Sequence, residues 1–185
     1  EREKEILVTH YTLTGIDPGL VHNGIVALHI DTEARTLAVR HRIVDGQLNA
    51  DLEPWPEATA QEVWVEWSAL IREFGMTDWL GYTFIEQYRD RGTAFVQHGP
   101  MRRLETLLKQ RMPEAKLVDN TGVKRVIKPG LMKLLGLWNF PTTNHRDLQA
   151  AARIMLYGAV KDQHLNRVLY QVVTEIKDGT TWERL

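Results

Sequence analysis

The chain has 185 residues, of which 43% are hydrophobic and 25% are charged, and its formal net charge is -1. This composition predicts one soluble globular domain over residues 1–185, with a core that needs no disulfide or structural metal. The sequence contains no cysteine, which excludes thiolate zinc sites and cysteine nucleophiles. The charged run Glu1–Glu5 is unlike a signal peptide and no apolar stretch reaches membrane-spanning length, so a cytoplasmic protein without membrane contact is expected.

The first half of the sequence predicts three strands, a helix and a fourth strand. Apolar or alternating runs cover Thr12–Asp17, Gly24–Ile30 and Thr36–Ile43. A short polar connector before the third run favours an antiparallel meander. After a proline-containing loop, apolar residues at helical spacing predict a helix over Glu57–Phe74, and Tyr82–Glu86 is predicted as a short strand.

The second half predicts mainly helices. One helix is expected over Gln97–Met112, followed by a short strand at Lys116–Val118. A short helix begins near Pro129 and runs to about residue 137, and a longer helix runs from His145 to about residue 160. The apolar, β-branched segment Leu165–Ile176 is compatible with either a helix or a strand.

This order of elements predicts an α/β fold with one mixed sheet. Three antiparallel strands in a meander and two parallel strands make five, with helices on both faces of the sheet. Right-handed crossovers place the fourth strand parallel to the first. If those two strands are neighbours, Asp17 and Glu86 meet at their carboxyl ends, where ligands bind in such sheets.

Asp17 is the first candidate functional residue. It ends an apolar strand and precedes a Pro18-Gly19 turn, and a carboxylate at the end of a buried strand needs a charged partner or a metal. Alternatively, Asp17 binds the backbone amides of its own turn. Glu86 has a similar pair of interpretations, as a metal ligand or as an ion-pair partner of Arg89 or Arg91.

A third carboxylate, Asp147, lies on the apolar face of its predicted helix, one turn before Ala150 and Ala151. Carboxylates grouped in this way are ligands of Mg²⁺, and two such ions about 4 Å apart can activate water against a phosphodiester. Asn144 and Asp147 also fit the two positions of a helix-capping arrangement that needs no metal. His145 is either a surface histidine beside the cap or a group that moves protons.

The charge is unevenly distributed along the chain. Residues 1–96 contain eight basic and sixteen acidic residues, whereas residues 97–135 contain nine basic and three acidic residues. A basic segment that follows acidic motif residues suits a polyanion bound across a metal site. A solvated basic helix face is the simpler alternative.

Three motifs in order make the chain resemble the RuvC family of Holliday junction resolvases, in the RNase H-like superfamily. They are Gly15-Ile16-Asp17-Pro18-Gly19 with Gly24, Phe84-Ile85-Glu86-Gln87, and Asn144-His145-Arg146-Asp147. The resemblance covers roughly Thr12 to Val160; the first motif is fairly specific, the second modest and the third diverged. It implies an RNase H-like nuclease domain and a homodimer that binds a four-way DNA junction and cuts two strands symmetrically. It further implies hydrolysis with two Mg²⁺ or Mn²⁺ ions per site, leaving 5′-phosphate and 3′-hydroxyl ends.

The resemblance also implies residue roles. Asp17, Glu86 and Asp147 would be the metal ligands, and the family's fourth position, usually Asp or His, falls here on Asn144, with His145 one residue away. The family's Val-Lys pair and later Lys, which approach DNA, have counterparts in Val123-Lys124 and Lys133, with altered spacing. Arg125 and Lys128 lie in the same basic segment and are further candidate DNA contacts. The position of the aromatic side chain that wedges into junctions in some members is Arg89, and the adjacent Tyr88 could stack on a base.

Three other functions compete with junction resolution. An actin-like or sugar-kinase-like ATPase has a similar first loop, but it needs two such domains, and Leu20 and Val21 replace the usual hydroxyl residues. A related nuclease of the same superfamily could act on flaps, RNA–DNA hybrids or other branched DNA, because such sites recognise backbone shape. A junction-binding module without catalysis would keep every activity after Asp17→Asn.

Overall fold

The computed structural model describes residues 8–75, 81–89 and 98–185. Within them, six strands form one sheet in the order β5-β4-β1-β2-β3-β6. The strands are β1 (His10–Asp17), β2 (His22–Asp31), β3 (Thr36–Asp45), β4 (Gly81–Glu86), β5 (Lys116–Val118) and β6 (Glu183–Arg184). The helices are α1 (Pro56–Arg72), α2 (His98–Arg111), α3 (Val123–Val126), α4 (Pro129–Leu134), α5 (His145–Lys161) and α6 (Gln163–Lys177).

The strand pairing confirms the predicted mixed sheet. β1 and β2 are antiparallel, as are β2 and β3, so the first three strands form the expected meander. β4 joins β1 in parallel, and β5 joins β4 in parallel. Ile16 lies opposite Ile85 in the β1–β4 pair, so the strands bring their last residues, Asp17 and Glu86, side by side.

The C-terminal segment differs from the prediction in two ways. β6 adds a sixth strand, parallel to β3, where five were predicted. The side chain of Trp182, just before β6, is buried and fastens this short strand to the core. The segment 165–176, which the sequence left open, is helical because its buried residues recur at helical spacing. These are Leu165, Val168, Leu169 and Val172. The four-residue helix α3 was not predicted.

Alternating strand residues build one core on each face of the sheet. Leu13, Val26 and Phe84 pack with α5 and α6 on one face. Ile16 and Ile25 pack with α1 and α2 on the other. The predicted helices on both faces are therefore confirmed. Among the helices that the structure describes, none combines the length and hydropathy needed to cross a bilayer.

Glycines let α5 pack unusually close to the sheet. A Cβ atom on Gly15 would lie 2.1 Å from the carbonyl oxygen of Ala151, and one on Gly24 would lie 2.5 Å from the carbonyl oxygen of Asp147. Gly24 is the cross-strand partner of Asp17. The first turn of α5 therefore lies directly against the strand that borders Asp17, which places Asp147 at the same end of the sheet.

Candidate metal centre

Asp17 and Glu86 form the centre of the candidate site. The pKa of the Asp17 carboxyl is raised well above its usual value, chiefly by burial and then by its hydrogen bond with Glu86. The negative charges of Glu86 and Asp147 raise it further. Two carboxyl groups in contact share a hydrogen bond only when one of them holds a proton. Without a cation, this end of the sheet therefore favours a protonated Asp17.

The donor set suits a hard divalent cation, because carboxylate oxygens are the ligands that Mg²⁺ and Mn²⁺ prefer. A cation would also offset the like charges that raise the pKa of Asp17. The described residues nevertheless contain no group of three or more histidine, aspartate or glutamate side chains arranged to hold a metal ion. Asp17 and Glu86 can therefore serve as a pair of metal ligands. Asp147 contributes its negative charge without belonging to that pair.

Asn23 holds the turn after β1, and sequence reasoning did not identify it. Its fully buried side chain accepts a hydrogen bond from the Gly19 amide at 3.0 Å and donates one to the Val44 carbonyl at 3.1 Å. The turn amide is therefore satisfied by Asn23 rather than by Asp17. The available signal was a polar residue directly before Gly24, where the apolar run begins.

The start of α5 differs from the predicted capping arrangement. Asn144 occupies the cap position, but its side chain makes no capping hydrogen bond. Its φ of -91° and ψ of 30° lie outside the extended region that side-chain capping requires. The Asp147 amide bonds instead to the Asn144 backbone oxygen at 3.2 Å. The capping interpretation of this pair is wrong, which leaves the Asp147 carboxylate free of that role.

His145 lies apart from the cleft that contains Glu86. Its side chain is exposed and lines a separate cavity with Trp138, Phe140 and Gln149. Asn144 is half-buried, and its backbone amide donates to the Thr142 hydroxyl at 3.4 Å. Whether Asn144 or His145 completes a metal site stays a prediction.

Glu86 is bound by a residue that the sequence did not single out. The Asn120 side-chain amide donates a hydrogen bond to a Glu86 carboxylate oxygen. Asn120 follows β5, the parallel neighbour of β4, so the sheet itself brings the two side chains together. Arg89 pairs with Asp119, so its predicted pairing with Glu86 is wrong. Arg91 lies outside the described residues.

Tyr88 and Arg89 extend from β4 along a small cleft of about 210 Å³ that also contains Glu86 and Pro18. The Tyr88 amide donates to the Glu105 carboxylate, and its hydroxyl is hydrogen-bonded to His98. These contacts tie Tyr88 to α2. The role of Tyr88 and Arg89 in junction binding stays a prediction.

A second cleft, of about 400 Å³, joins Glu86 to the basic segment. Glu86 and Asn120 form one part of its lining, and Lys124 and Arg125 from α3 form another. Arg153 of α5 completes the cationic lining. Lys128 and Lys133 are also exposed but lie outside this lining. Two of the four predicted basic residues therefore face the same cavity as a candidate metal ligand.

Comparisons with known proteins find likeness in structure and none in sequence. No family model matches the chain, and no curated protein matches its sequence. The structure of Thermus thermophilus RuvC aligns with a TM-score of 0.54 and 14% identity, over 88% of this chain and 96% of that one. T. thermophilus RuvC in complex with a Holliday junction substrate aligns with a TM-score of 0.51 and 15% identity, over 92% and 97%. The predicted RNase H-like fold is thereby confirmed, and this chain shares it with RuvC.

Proposed function

We propose that this chain is a metal-dependent endonuclease that resolves four-way DNA junctions, with residues 1–185 as its single nuclease domain. The observation that carries the proposal is the contact between Asp17 and Glu86 at the ends of two parallel strands. The negative charge of Asp147 also acts on Asp17, and Glu86 lines a cleft that contains cationic side chains. Clustered carboxylates beside a basic cleft suit a phosphodiester substrate.

In this proposal, Asp17, Glu86 and Asp147 hold two Mg²⁺ or Mn²⁺ ions, and Asn144 or His145 completes the site. Bound ions of this kind activate a water molecule and stabilise the leaving oxygen of a phosphodiester. Asp17 gives up its proton when the cations are present, since their charge offsets its carboxylate neighbours. Asn120 keeps Glu86 oriented through its hydrogen bond.

The basic residues position the DNA. Lys124, Arg125, Lys128 and Lys133 contact phosphates, which gives affinity without sequence preference. Tyr88 and Arg89 lie near the junction centre, where an aromatic ring can stack on an unpaired base. A cytoplasmic homodimer would present two sites to the junction, so paired cuts would leave two nicked duplexes with 5′-phosphate and 3′-hydroxyl ends.

The test compares substrates side by side. With Mg²⁺, the purified protein should cleave a synthetic four-way junction faster than a flap, an RNA–DNA hybrid or a linear duplex. Asp17→Asn should slow cleavage by about 1,000-fold, because it removes several kcal/mol of metal-dependent stabilisation, while junction binding is retained. Asp31→Asn is the matched control, because Asp31 lies at the other end of the sheet and its Oδ1 accepts from the Glu33 and Ala34 amides.

The outcomes separate the competing functions. Preference for a flap or hybrid would assign the chain to another nuclease activity of the same fold. Unchanged cleavage by Asp17→Asn would refute the site. A non-catalytic junction-binding module is a second candidate. It is favoured because the described residues contain no group of three or more His, Asp or Glu side chains arranged to hold a metal ion. It predicts that the unchanged protein binds junctions and cleaves none of the four substrates.

A further inference from the structure

Arg153 has a buried polar atom with no partner. It lies on α5, six residues after Asp147 and therefore about 9 Å further along the helix axis. Its Nε is buried and has no hydrogen-bond partner among the described residues. A buried donor without an acceptor lowers stability, so an arginine in this position is expected to have a function that offsets the cost.

A second positive group, the Lys133 amino group, lies close to the same aromatic ring as Arg153. Its guanidinium carbon lies 5.5 Å from the centroid of the Trp138 ring, and the Lys133 amino group lies 5.6 Å from the same centroid. An aromatic face attracts a cation without cancelling its charge. Two positive groups beside one ring repel each other, and an anion placed between them and the cleft would relieve that repulsion.

The guanidinium also lines the cleft that reaches the candidate metal ligand Glu86. Lys124 and Arg125 lie on the α3 side of this cleft, and Arg153 lies on the α5 side. The cleft is therefore lined by cations from two elements and by the Glu86 carboxylate. A planar guanidinium offers forked donors that match the oxygens of a phosphate.

We infer that Arg153 is a phosphate-binding residue that holds the DNA backbone in the cleft between α3 and α5, which Glu86 also lines. This inference rests on the proposed function and deepens it by adding a DNA contact from α5. Trp138 orients the guanidinium through its ring face, and the terminal nitrogens donate to the bound phosphate. Arg153 acts on binding, so its loss raises the DNA concentration needed for half-maximal cleavage more than it lowers the maximal rate.

The opposing explanation is that Arg153 only packs against Trp138. Arg153→Met separates the two, because methionine keeps an unbranched side chain and removes the charge and the unpaired donor. A packing role predicts a lower melting temperature with unchanged DNA affinity. A phosphate-binding role predicts an unchanged or higher melting temperature with weaker binding.

The experiment measures binding of a fluorescent four-way junction at several salt concentrations, in a chelator to prevent cleavage, together with thermal unfolding. Arg153→Met should weaken binding by about 10-fold and reduce the slope of log affinity against log salt by about 0.9, the value for one phosphate. Arg153→Lys should restore the slope but not the full affinity. Arg167→Met is the matched control, since Arg167 is exposed beside Thr9 and Glu33 at the far end of the sheet.

The results distinguish this inference from the proposed function. If the unchanged protein binds junctions without cleaving any substrate and Arg153→Met lowers the slope, the nuclease proposal fails and the inference stands. If the unchanged protein cleaves junctions but Arg153→Met has the same salt slope of binding as Arg167→Met, only the Arg153 inference fails. Unfolding of Arg153→Met would also overturn it, because the residue would then be structural. A protein that binds no DNA would overturn both.

Discussion

The two ends of the sheet differ in how they hold the aspartate that ends a strand. At the end formed by the start of β1 and the last residues of β2, charged groups have partners: Asp31 accepts two backbone amides, and Glu175 binds Arg35 at 3.2 Å and Trp182 at 3.1 Å. At the other end, Asp17 contacts a second carboxyl group. Contact between like charges with a strongly perturbed pKa is more typical of a functional site than of a structural one, so the end with Asp17 is where a ligand is expected.

The substitution with the largest expected effect on this contrast moves α5 away from the carboxylates. Gly24→Ala places a methyl group 2.5 Å from the Asp147 carbonyl oxygen, so the first turn of α5 must shift. We expect a loss of about 1 to 3 kcal/mol in the free energy of unfolding, as for overpacked cores, and loss of cleavage. Urea unfolding and junction cleavage measure the two effects.

Gly130→Ala is the matched control for this substitution. A Cβ atom on Gly130, in α4, meets no heavy atom within 4 Å. It should keep the stability and the cleavage of the unchanged protein. If Gly24→Ala behaves like Gly130→Ala, close packing of α5 does not place Asp147.

A smaller effect concerns the like charges themselves. The raised pKa of Asp17 means that the folded protein binds a proton more tightly than the unfolded chain does. The stability linked to this group is therefore present at low pH and is lost as the pH rises through the raised pKa. Without metal at neutral pH, Asp17→Asn should melt at a higher temperature than the unchanged protein, because asparagine carries no charge.

Metal titration completes this test. Mg²⁺ should raise the melting temperature of the unchanged protein by mass action, and it should raise that of Asp17→Asn much less. Calorimetric scans at pH 5 and pH 8, with and without Mg²⁺, give the four melting temperatures needed for each protein. Equal stabilisation of both proteins by Mg²⁺ would show that Asp17 does not hold the ion.

A single phosphate contact should have a more modest effect. Lys124 is exposed on the cleft that reaches Glu86, so Lys124→Ala should reduce the salt slope of junction binding by about 0.9. Lys177→Ala is the control, because Lys177 is exposed at the end of α6 and away from that cleft. A slope equal to that of Lys177→Ala would remove Lys124 from the phosphate contacts.

Local patterns predicted most of the fold and the central pair of the site. The strands that end at Asp17 and Glu86 are marked by apolar runs, and the parallel pairing of β1 and β4 follows from the handedness of crossovers. The sixth strand was missed because it pairs only two residues, Glu183 and Arg184, across a long sequence separation. Such a short contact leaves no periodic pattern.

The rest of the site depends on tertiary detail. The capping interpretation of Asn144 failed because cap residues were recognised by type, whereas the backbone enters α5 in a conformation that keeps its side chain from the amides. Asn120 reaches Glu86 only because β5 lies beside β4. Arg153 lies between the buried residues Ala152 and Ile154 in the sequence, and only packing shows that its Nε is buried without a partner.

The smallest expected effect lies at the satisfied end of the sheet. Glu175→Gln removes the ion pair with Arg35 but keeps an oxygen that can accept from Trp182. Because exposed ion pairs contribute little, the free energy of unfolding should fall by less than about 1 kcal/mol, and junction cleavage should stay unchanged. Raising the salt concentration should shrink the difference further, since salt screens an exposed pair. A loss of cleavage in Glu175→Gln at full stability would mean that the two ends of the sheet are coupled, and the contrast between them would no longer locate the site.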